Sequence, residues 1–128
     1  MPNPPRPTDA ELEILTVLWS RGPATVRKVH ETVAARKPTQ YTTVLKMLQI
    51  MAEKGLVTRD ESSRTHIYAA RVSRDRTQRQ LVNDLIDRAF GGSAAALVLQ
   101  ALSAQPTSEE DLGEIRRLID DYRRTRTR

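Results

Sequence analysis

A helical repeat of apolar residues runs through residues 39–55 and anchors the interpretation of the chain. The apolar positions of this repeat are Tyr41, Val44, Leu45, Leu48 and Met51. Their spacing predicts a helix that turns one side toward a core. The opposite side carries Gln40, Thr42, Thr43, Lys46 and Gln49. Pro38 followed by Thr39 favours a helix start. Lys54 followed by Gly55 favours a stop, so we predict one amphipathic helix with a polar outer face.

Two further helices are predicted before this one. Thr8 and Glu11 have the spacing of a capping box, which predicts the start of the first helix. The residues that we expect it to bury are Leu12, Ile14, Leu15, Val17, Leu18 and Trp19. Residues 24–26 are predicted to be a very short strand or an extended entry. Thr25 is a candidate cap for a second helix over residues 26–36.

The pattern changes to period two after the third helix. Residues 56–60 and 65–69 are predicted to be strands joined by a turn at 61–64. A hairpin directly after the third helix is typical of the wing of a winged helix-turn-helix. We therefore predict a mainly α fold with a small β-hairpin, with a flexible arm at 1–7 and an N-terminal winged helix-turn-helix at 8–72.

The second half of the sequence predicts helices with more apolar surface than they can bury alone. One helix is predicted from Ser73 to Phe90, with exposed first turns, and Ser93 is a candidate cap for an apolar helix at 94–102. A last amphipathic helix starts near residues 107–108. We expect residues 73–128 to form a C-terminal helical dimerisation domain. The predicted contact residues are Leu81, Leu85, Leu97, Leu99, Leu102, Ile115, Leu118 and Ile119.

Charge is distributed unevenly along the chain. The net charge of +5 and the pI near 10.1 favour an anionic partner. Residues 1–72 contain 11 Lys and Arg against 7 Asp and Glu, residues 73–122 contain 6 against 9, and the last six residues add four Arg. The positive field therefore belongs to the first half and the tail, which argues against a protein that coats nucleic acid along its whole length.

The outer face of the third helix has the chemistry of a DNA-recognition helix. Thr and Gln side chains bond to base edges, and a Lys such as Lys46 neutralises phosphate. In the hairpin, Arg59 and Arg64 are candidates for phosphate or minor-groove contacts. The predicted DNA-binding residues are Gln40, Thr42, Thr43, Lys46, Gln49, Arg59 and Arg64. The alternatives are an ordinary amphipathic surface helix and a solvated hairpin that only closes the core.

Other kinds of site have little support in the sequence. There is no Cys, and two separate histidines, His30 and His66, make a poor metal site, so we expect no metal and no cofactor. No Ser-His-Asp set, Gly-rich phosphate loop or usable carboxylate pair indicates an enzyme. No apolar run reaches the roughly 18 residues of a membrane helix. The proline-rich start does not resemble a signal peptide, and we expect a cytoplasmic protein.

The order of the elements, together with specific residues, resembles the penicillinase-repressor (BlaI/MecI) family of bacterial transcription repressors. The matching stretches are Glu11–Ile14 with Val17–Trp19, Thr25–His30, Tyr41–Leu45, Lys54–Val57 and Leu97–Leu99. The resemblance implies a homodimer that binds a palindromic operator through its winged helices. It also implies, for some members, relief of repression when a membrane sensor metalloprotease, or a protease that it triggers, cuts the dimerisation domain.

Three departures from the family pattern change what is expected. The family often has Thr where this chain has Lys46 and Arg where it has Ile50, so a different operator is an open alternative. In the resistance repressors the cut follows an Asn-Phe pair, whereas the matching bond here is Gln100–Ala101. If cleavage occurs, we expect it between Val98 and Ser103. The related copper-responsive repressors use C-terminal cysteines, which this sequence lacks.

Two other functions fit the same pattern. The winged helix could bind another protein while the helical tail dimerises, or the chain could be an effector-responsive regulator that proteolysis does not control. Salt dependence separates DNA binding from protein binding, because each neutralised phosphate releases counterions.

Overall fold

A computed structural model describes residues 5–126, so residues 1–4 of the predicted arm and the last two residues lie outside the described part. In chain order the elements are α1 (Asp9–Arg21), β1 (Ala24–Thr25), α2 (Val26–Arg36), α3 (Tyr41–Lys54), β2 (Val57–Asp60), β3 (Ile67–Ala70), α4 (Arg74–Ala89), α5 (Ala94–Ala104) and α6 (Glu109–Arg126). The prediction of a mainly α fold with a small β-hairpin is confirmed. Of the predicted arm, Pro5 and Arg6 are exposed, whereas Pro7 is buried.

The first two helices begin at the predicted side-chain caps. Thr8 Oγ1 accepts the Glu11 N–H at 3.2 Å, and Glu11 Oε1 accepts the Thr8 N–H at 2.9 Å, which completes the capping box of α1. Thr25 Oγ1 accepts the Lys28 N–H at 3.1 Å at the start of α2. Each cap joins residues only three apart in the sequence, and both predicted caps are confirmed.

The start of α3 differs from the prediction. Thr39 does not cap the helix, because its hydroxyl donates to the Lys37 carbonyl at 2.8 Å. Gln40 is the N-cap residue, and its side chain makes no capping hydrogen bond. The end is as predicted: Gly55 takes the left-handed conformation with φ 85° and ends α3.

The strands form one three-stranded antiparallel sheet in the order β1-β3-β2. Tyr68 on β3 lies opposite Ala24 on one side and Arg59 on the other. The predicted first strand of the hairpin included Leu56, but Leu56 lies before β2. Its N–H donates to the Met51 carbonyl at 2.9 Å, in the chain reversal that ends α3.

The core is formed by α1, α2, α3 and the sheet. Its buried hydrophobic residues are Ile14, Leu15, Val17, Leu18, Ala24, Val26, Val29, Val33, Val44, Leu48, Met51, Leu56, Val57 and Tyr68. Trp19 and Leu45 are partly buried against this core. The expectation that Tyr41 faces the core is wrong, because its side chain is 44% exposed. As the first residue of α3 it lies against His30 of α2, with ring centroids 5.7 Å apart.

An ion pair joins α1 to the end of α3. Lys54 Nζ donates to Glu11 Oε2 at 2.8 Å, and the Glu11 side chain is only 6% exposed. Burial raises the pKa of the Glu11 carboxyl. The hydrogen bonds from Lys54 and Thr8, together with the charge of Lys54, lower this pKa by a larger amount. The net pKa lies below the ordinary value of 4.5, so the carboxylate stabilises this contact in its charged form.

The chain divides into two compact units, one ending at Asn83 and the other beginning at Asp84. Every buried residue belongs to the first unit, and no described residue of the second is buried. The first turn of α4 was predicted to be exposed, yet Thr77 is buried. The predicted domain boundary at residue 72 stays a prediction, and the two compact units divide inside α4, after Asn83.

Candidate nucleic-acid interface

The turn between α2 and α3 sets the position of the candidate recognition helix. His30 Nε2 lies 2.7 Å from the Thr39 carbonyl oxygen. A carbonyl only accepts, so Nε2 is the nitrogen that carries the proton and donates. The Tyr41 ring meets the His30 ring edge-on, at an interplanar angle of 80°. His30 therefore contacts both the turn and the first residue of α3.

The five predicted DNA-binding residues in and before α3 are all exposed: Gln40, Thr42, Thr43, Lys46 and Gln49. Within residues 5–126, the side chains of Thr42, Thr43, Lys46 and Gln49 make no hydrogen bond or ion pair with the protein. The opposite face of α3 is fixed in the core by Val44. The helix thus presents free donors, acceptors and one cation on a rigid support.

A cation outside the predicted set lies close to these residues. Lys37 is exposed and borders the same groove as Gln40 and Thr43. Glu13 borders this groove as well and places one acid there. The sequence pattern does not indicate Lys37 as a DNA-binding residue, because Lys37 precedes the predicted recognition helix. The fold brings it to the N-terminal end of α3, where recognition helices contact base edges.

The two arginines of the hairpin differ in their contacts, because among the described residues Arg59 pairs with an acid and Arg64 does not. Arg59 Nη2 lies 3.4 Å from Glu61 Oε2, and His66 Nε2 lies 3.9 Å from Glu61 Oε1. A hydrogen bond to Tyr68 and the charge of Glu61 raise the pKa of the Arg59 guanidinium, which stays cationic. Arg64 is exposed, and its side chain has no ion pair or hydrogen bond in the described part of the chain. Arg64 is therefore freer than Arg59 to meet a phosphate.

The contact between Arg59 and Glu61 was not predicted, although the sequence contains a signal for it. An arginine near the end of a strand and an acid two positions later are close enough to pair, and Glu61 directly follows β2. The contact between His30 and Thr39 has no such signal. It joins a side chain to a main-chain carbonyl across a turn whose geometry the residue types do not specify.

The second unit exposes most of its apolar residues. Seven of the eight predicted dimerisation residues lie in this unit: Leu85, Leu99, Leu102, Leu118 and Ile119 are exposed, and Leu97 and Ile115 are half-buried. The eighth, Leu81, is half-buried and lies in the first unit. The largest exposed fractions are 67% for Leu99 and 69% for Leu118. Gln100 and Ala101, at the candidate cleavage position, are exposed residues inside α5. The amphipathic pattern predicted from the sequence is present, but a single chain leaves its apolar side uncovered.

Residues 5–126 contain no group of three or more His, Cys, Asp or Glu side chains placed to hold a metal ion. None of the described helices alone has the length and apolarity of a membrane span, and α4 and α5 meet those criteria only together, as a bent pair.

A comparison with protein families connects this geometry to a known group. The model of the penicillinase repressor family matches residues 7–121, which covers both units. The chain belongs to the penicillinase-repressor family. The resemblance inferred from the sequence is thereby confirmed.

Individual relatives of this penicillinase-repressor family member have names that agree with the family assignment. The transcriptional regulator BlaI of Mycobacterium tuberculosis is 42% identical over 93 residues, which cover 70% of this chain and 67% of that protein. The penicillinase repressor of Bacillus licheniformis is 20% identical over 93% of each chain. The methicillin resistance regulatory protein MecI of Staphylococcus aureus is 19% identical over 88% of this chain and 92% of that protein.

Two solved structures share the fold of the first unit. The solution structure of the DNA-binding domain of the repressor BlaI has a TM-score of 0.51 and 23% identity, and it covers 58% of this chain and 90% of that one. The monomeric form of Bacillus licheniformis BlaI in complex with the blaP half-operator also has a TM-score of 0.51, with 23% identity over 59% of this chain and 92% of that one. At this identity the likeness establishes the winged-helix fold alone.

Proposed function

We propose that this penicillinase-repressor family member is a homodimeric, DNA-binding transcriptional repressor. The observation that carries the proposal is the exposed face of α3, where free polar side chains and Lys46 stand on a helix whose other face is held in the core. Thr and Gln side chains bond to base edges, and a lysine neutralises phosphate. The name of the related BlaI complex, bound to a half-operator, supports the same assignment.

Four of the seven predicted contact residues have a proposed role that follows from their position. Thr43, in the first turn of α3, contacts base edges, because recognition helices meet bases with their N-terminal residues. Lys46, one turn further on, contacts a base or a nearby phosphate. Arg64 contacts phosphate from the wing. Arg59 contributes less, since Glu61 already offsets part of its charge.

The dimer is proposed from the apolar surface of the second unit. Leu85, Leu99, Leu118 and Ile119 are exposed in one chain, and covering large apolar side chains with a partner removes their surface from water. Burying this surface against a second copy gives a two-fold assembly. Two winged helices related in this way bind half-sites about 10 base pairs apart, or a multiple of that spacing. A regulator of this kind acts where the chromosome lies, so we assign it to the cytoplasm and assign it no enzymatic activity.

Relief by proteolysis is the conditional part of the proposal. A cut between Val98 and Ser103 separates α6 from the rest of the chain and removes the two-site advantage on DNA. The bond at Gln100–Ala101 lies inside α5, so α5 must open locally before a protease can cut it. A membrane sensor metalloprotease, or a protease that it triggers, is the proposed agent. Mass spectrometry of the protein from induced cells tests this step, and intact protein during full derepression contradicts it.

The substitution Thr43→Ala tests the DNA-binding assignment. We expect it to weaken binding to a selected operator by about 1–3 kcal/mol and to leave binding to random DNA nearly unchanged. Thr16→Ala is the matched control, because Thr16 is an exposed threonine on α1. Fluorescence anisotropy with both DNAs measures the two affinities. An equal loss on operator and random DNA, or an effect no larger than that of the control, contradicts the role of Thr43.

A further inference from the structure

Trp19 connects the end of α1 to the chain that leaves the sheet. Its Nε1–H donates to the Val72 carbonyl oxygen at 3.0 Å, a contact across 53 residues of sequence. The Arg74 guanidinium carbon lies 6.0 Å from the centroid of the indole ring, within the range of a cation–π interaction. These contacts hold Val72 and Arg74, the residues on either side of Ser73, at the start of α4.

Neighbouring contacts fix the same segment. The Arg71 N–H donates to the Leu56 carbonyl at 2.9 Å, and the Val72 side chain packs against the core. In the first turn of α4, Thr77 is buried. The path from β3 into α4 is therefore held at successive residues, all within the first unit, and α4 then runs to Ala89 without a break.

We propose that Trp19 is a specificity-determining residue for the spacing between operator half-sites, because it fixes the direction in which α4 leaves the winged helix. The proposal rests on the proposed function, a dimer on a two-fold operator. A stiff connection between two binding modules concentrates the second module at one distance, whereas a loose connection spreads it over many. Moving one half-site by one base pair shifts it by about 3.4 Å and turns it by about 34° around the DNA axis. Because a fixed start of α4 keeps the second winged helix from following the displaced half-site, altered spacing weakens binding.

Three substitutions separate this role from a general effect on folding. Trp19→Phe removes the N–H donor and retains an apolar ring. Arg74→Ala removes the cation over the ring and leaves the core intact. Arg76→Ala is the matched control, since Arg76 is exposed in the same turn of α4 and its loss changes the charge equally.

The test uses full-length protein and synthetic duplexes built from the site that the wild-type chain selects from random DNA. One duplex carries a single half-site, one the palindrome at its selected spacing, and two carry the palindrome with one base pair inserted or removed. For Trp19→Phe and Arg74→Ala, we expect half-site affinity within about twofold of wild type. The palindrome advantage is expected to fall about fivefold in Trp19→Phe, the factor that one net hydrogen bond contributes, and about two- to fivefold in Arg74→Ala, the factor of an exposed cation–π contact. The loss of affinity caused by inserting or removing one base pair is expected to be smaller in both variants than in wild type. Arg76→Ala is expected to match wild type.

The outcomes distinguish a failure of the role proposed for Trp19 from a failure of the proposed function. If wild type binds the palindrome no better than the half-site, the proposed dimeric function is overturned and the inference with it. If wild type prefers the selected spacing but Trp19→Phe and Arg74→Ala behave like Arg76→Ala, only the inference is overturned. Equal losses on half-site and palindrome also overturn it, because they indicate a role in folding.

A second measurement does not depend on how the variants fold. Trp19 is the single tryptophan, so NMR of the wild-type chain shows one indole N–H. Slow exchange of this proton with solvent supports the bond to Val72. Exchange at the rate of a free indole overturns the proposed anchor.

Discussion

Replacing Glu11 with Gln tests how the recognition helix is held. The Glu11 carboxylate accepts the Lys54 ammonium at 2.8 Å and the Thr8 N–H at 2.9 Å. Gln has one acceptor oxygen and no charge, so one of these donors loses its partner and the other loses a charge-assisted bond. Lys54 is about one third exposed and recovers part of its hydration. We therefore expect Glu11→Gln to lower the free energy of unfolding by about 1–2 kcal/mol at pH 7.

The pH dependence of this loss follows from the pKa of Glu11. The folded-state pKa lies below the ordinary value of 4.5, so folding favours the charged carboxylate. The stabilisation is complete above 4.5 and is lost as the pH falls through the folded-state pKa. The difference between wild type and Glu11→Gln is therefore expected to shrink at acidic pH.

Urea unfolding, followed by tryptophan fluorescence, measures the free energy of unfolding of the first unit. Trp19 is the single tryptophan and lies in the first unit, so its emission reports the winged helix. Glu13→Gln is the matched control, because Glu13 is exposed on the same helix and its change alters the net charge equally. A Glu11→Gln effect that equals that of Glu13→Gln, or one that is unchanged between pH 7 and about pH 3, contradicts the stabilising role of the Glu11 carboxylate.

Three further predictions concern the DNA-binding face and the second unit. Arg64→Ala is expected to weaken binding to operator and random DNA alike and to reduce the slope of log K against log salt by about one unit; an unchanged slope removes Arg64 from the phosphate contacts. His30→Ala is expected to lower operator affinity about fivefold through loss of its bond to Thr39, and His30→Gln, which keeps an N–H donor, is expected to recover part of it; equal defects in the two variants argue against that bond. Leu118→Glu is expected to shift the chain from dimer to monomer in sedimentation equilibrium, while Gln105→Glu leaves it a dimer; a dimeric Leu118→Glu protein contradicts the proposed interface.

Sequence reasoning succeeded where short-range spacing determines structure. The capping box of Thr8 and Glu11 and the cap at Thr25 each depend on residues three positions apart. The core face of α3 follows from helical periodicity, apart from Tyr41. That residue stands at the first position of the helix, where the preceding turn and α2 replace the core as its neighbour. Periodicity identifies a face but does not indicate where the core ends.

The contacts that position the candidate site are long-range, and the sequence does not indicate them. Glu11 meets Lys54 across 43 residues, and Trp19 meets Val72 across 53. Both side chains were assigned their local roles, as a cap and as a core residue, and both have a second partner that only the fold brings near. The exposed apolar surface of the second unit was predicted from the sequence, because short helices with this much apolar surface cannot bury it on one another.

The most direct test of the central claim is to sequence the DNA that the full chain selects from a random pool. A dimer that reads DNA through α3 is expected to enrich one motif with two-fold symmetry, its half-sites about 10 base pairs apart or a multiple of that spacing. The same selection with Thr43→Ala is expected to blur the motif at one base position in each half-site. A pool without any enriched motif, at a salt concentration where the protein still binds DNA, would contradict the claim that this chain is a sequence-specific repressor.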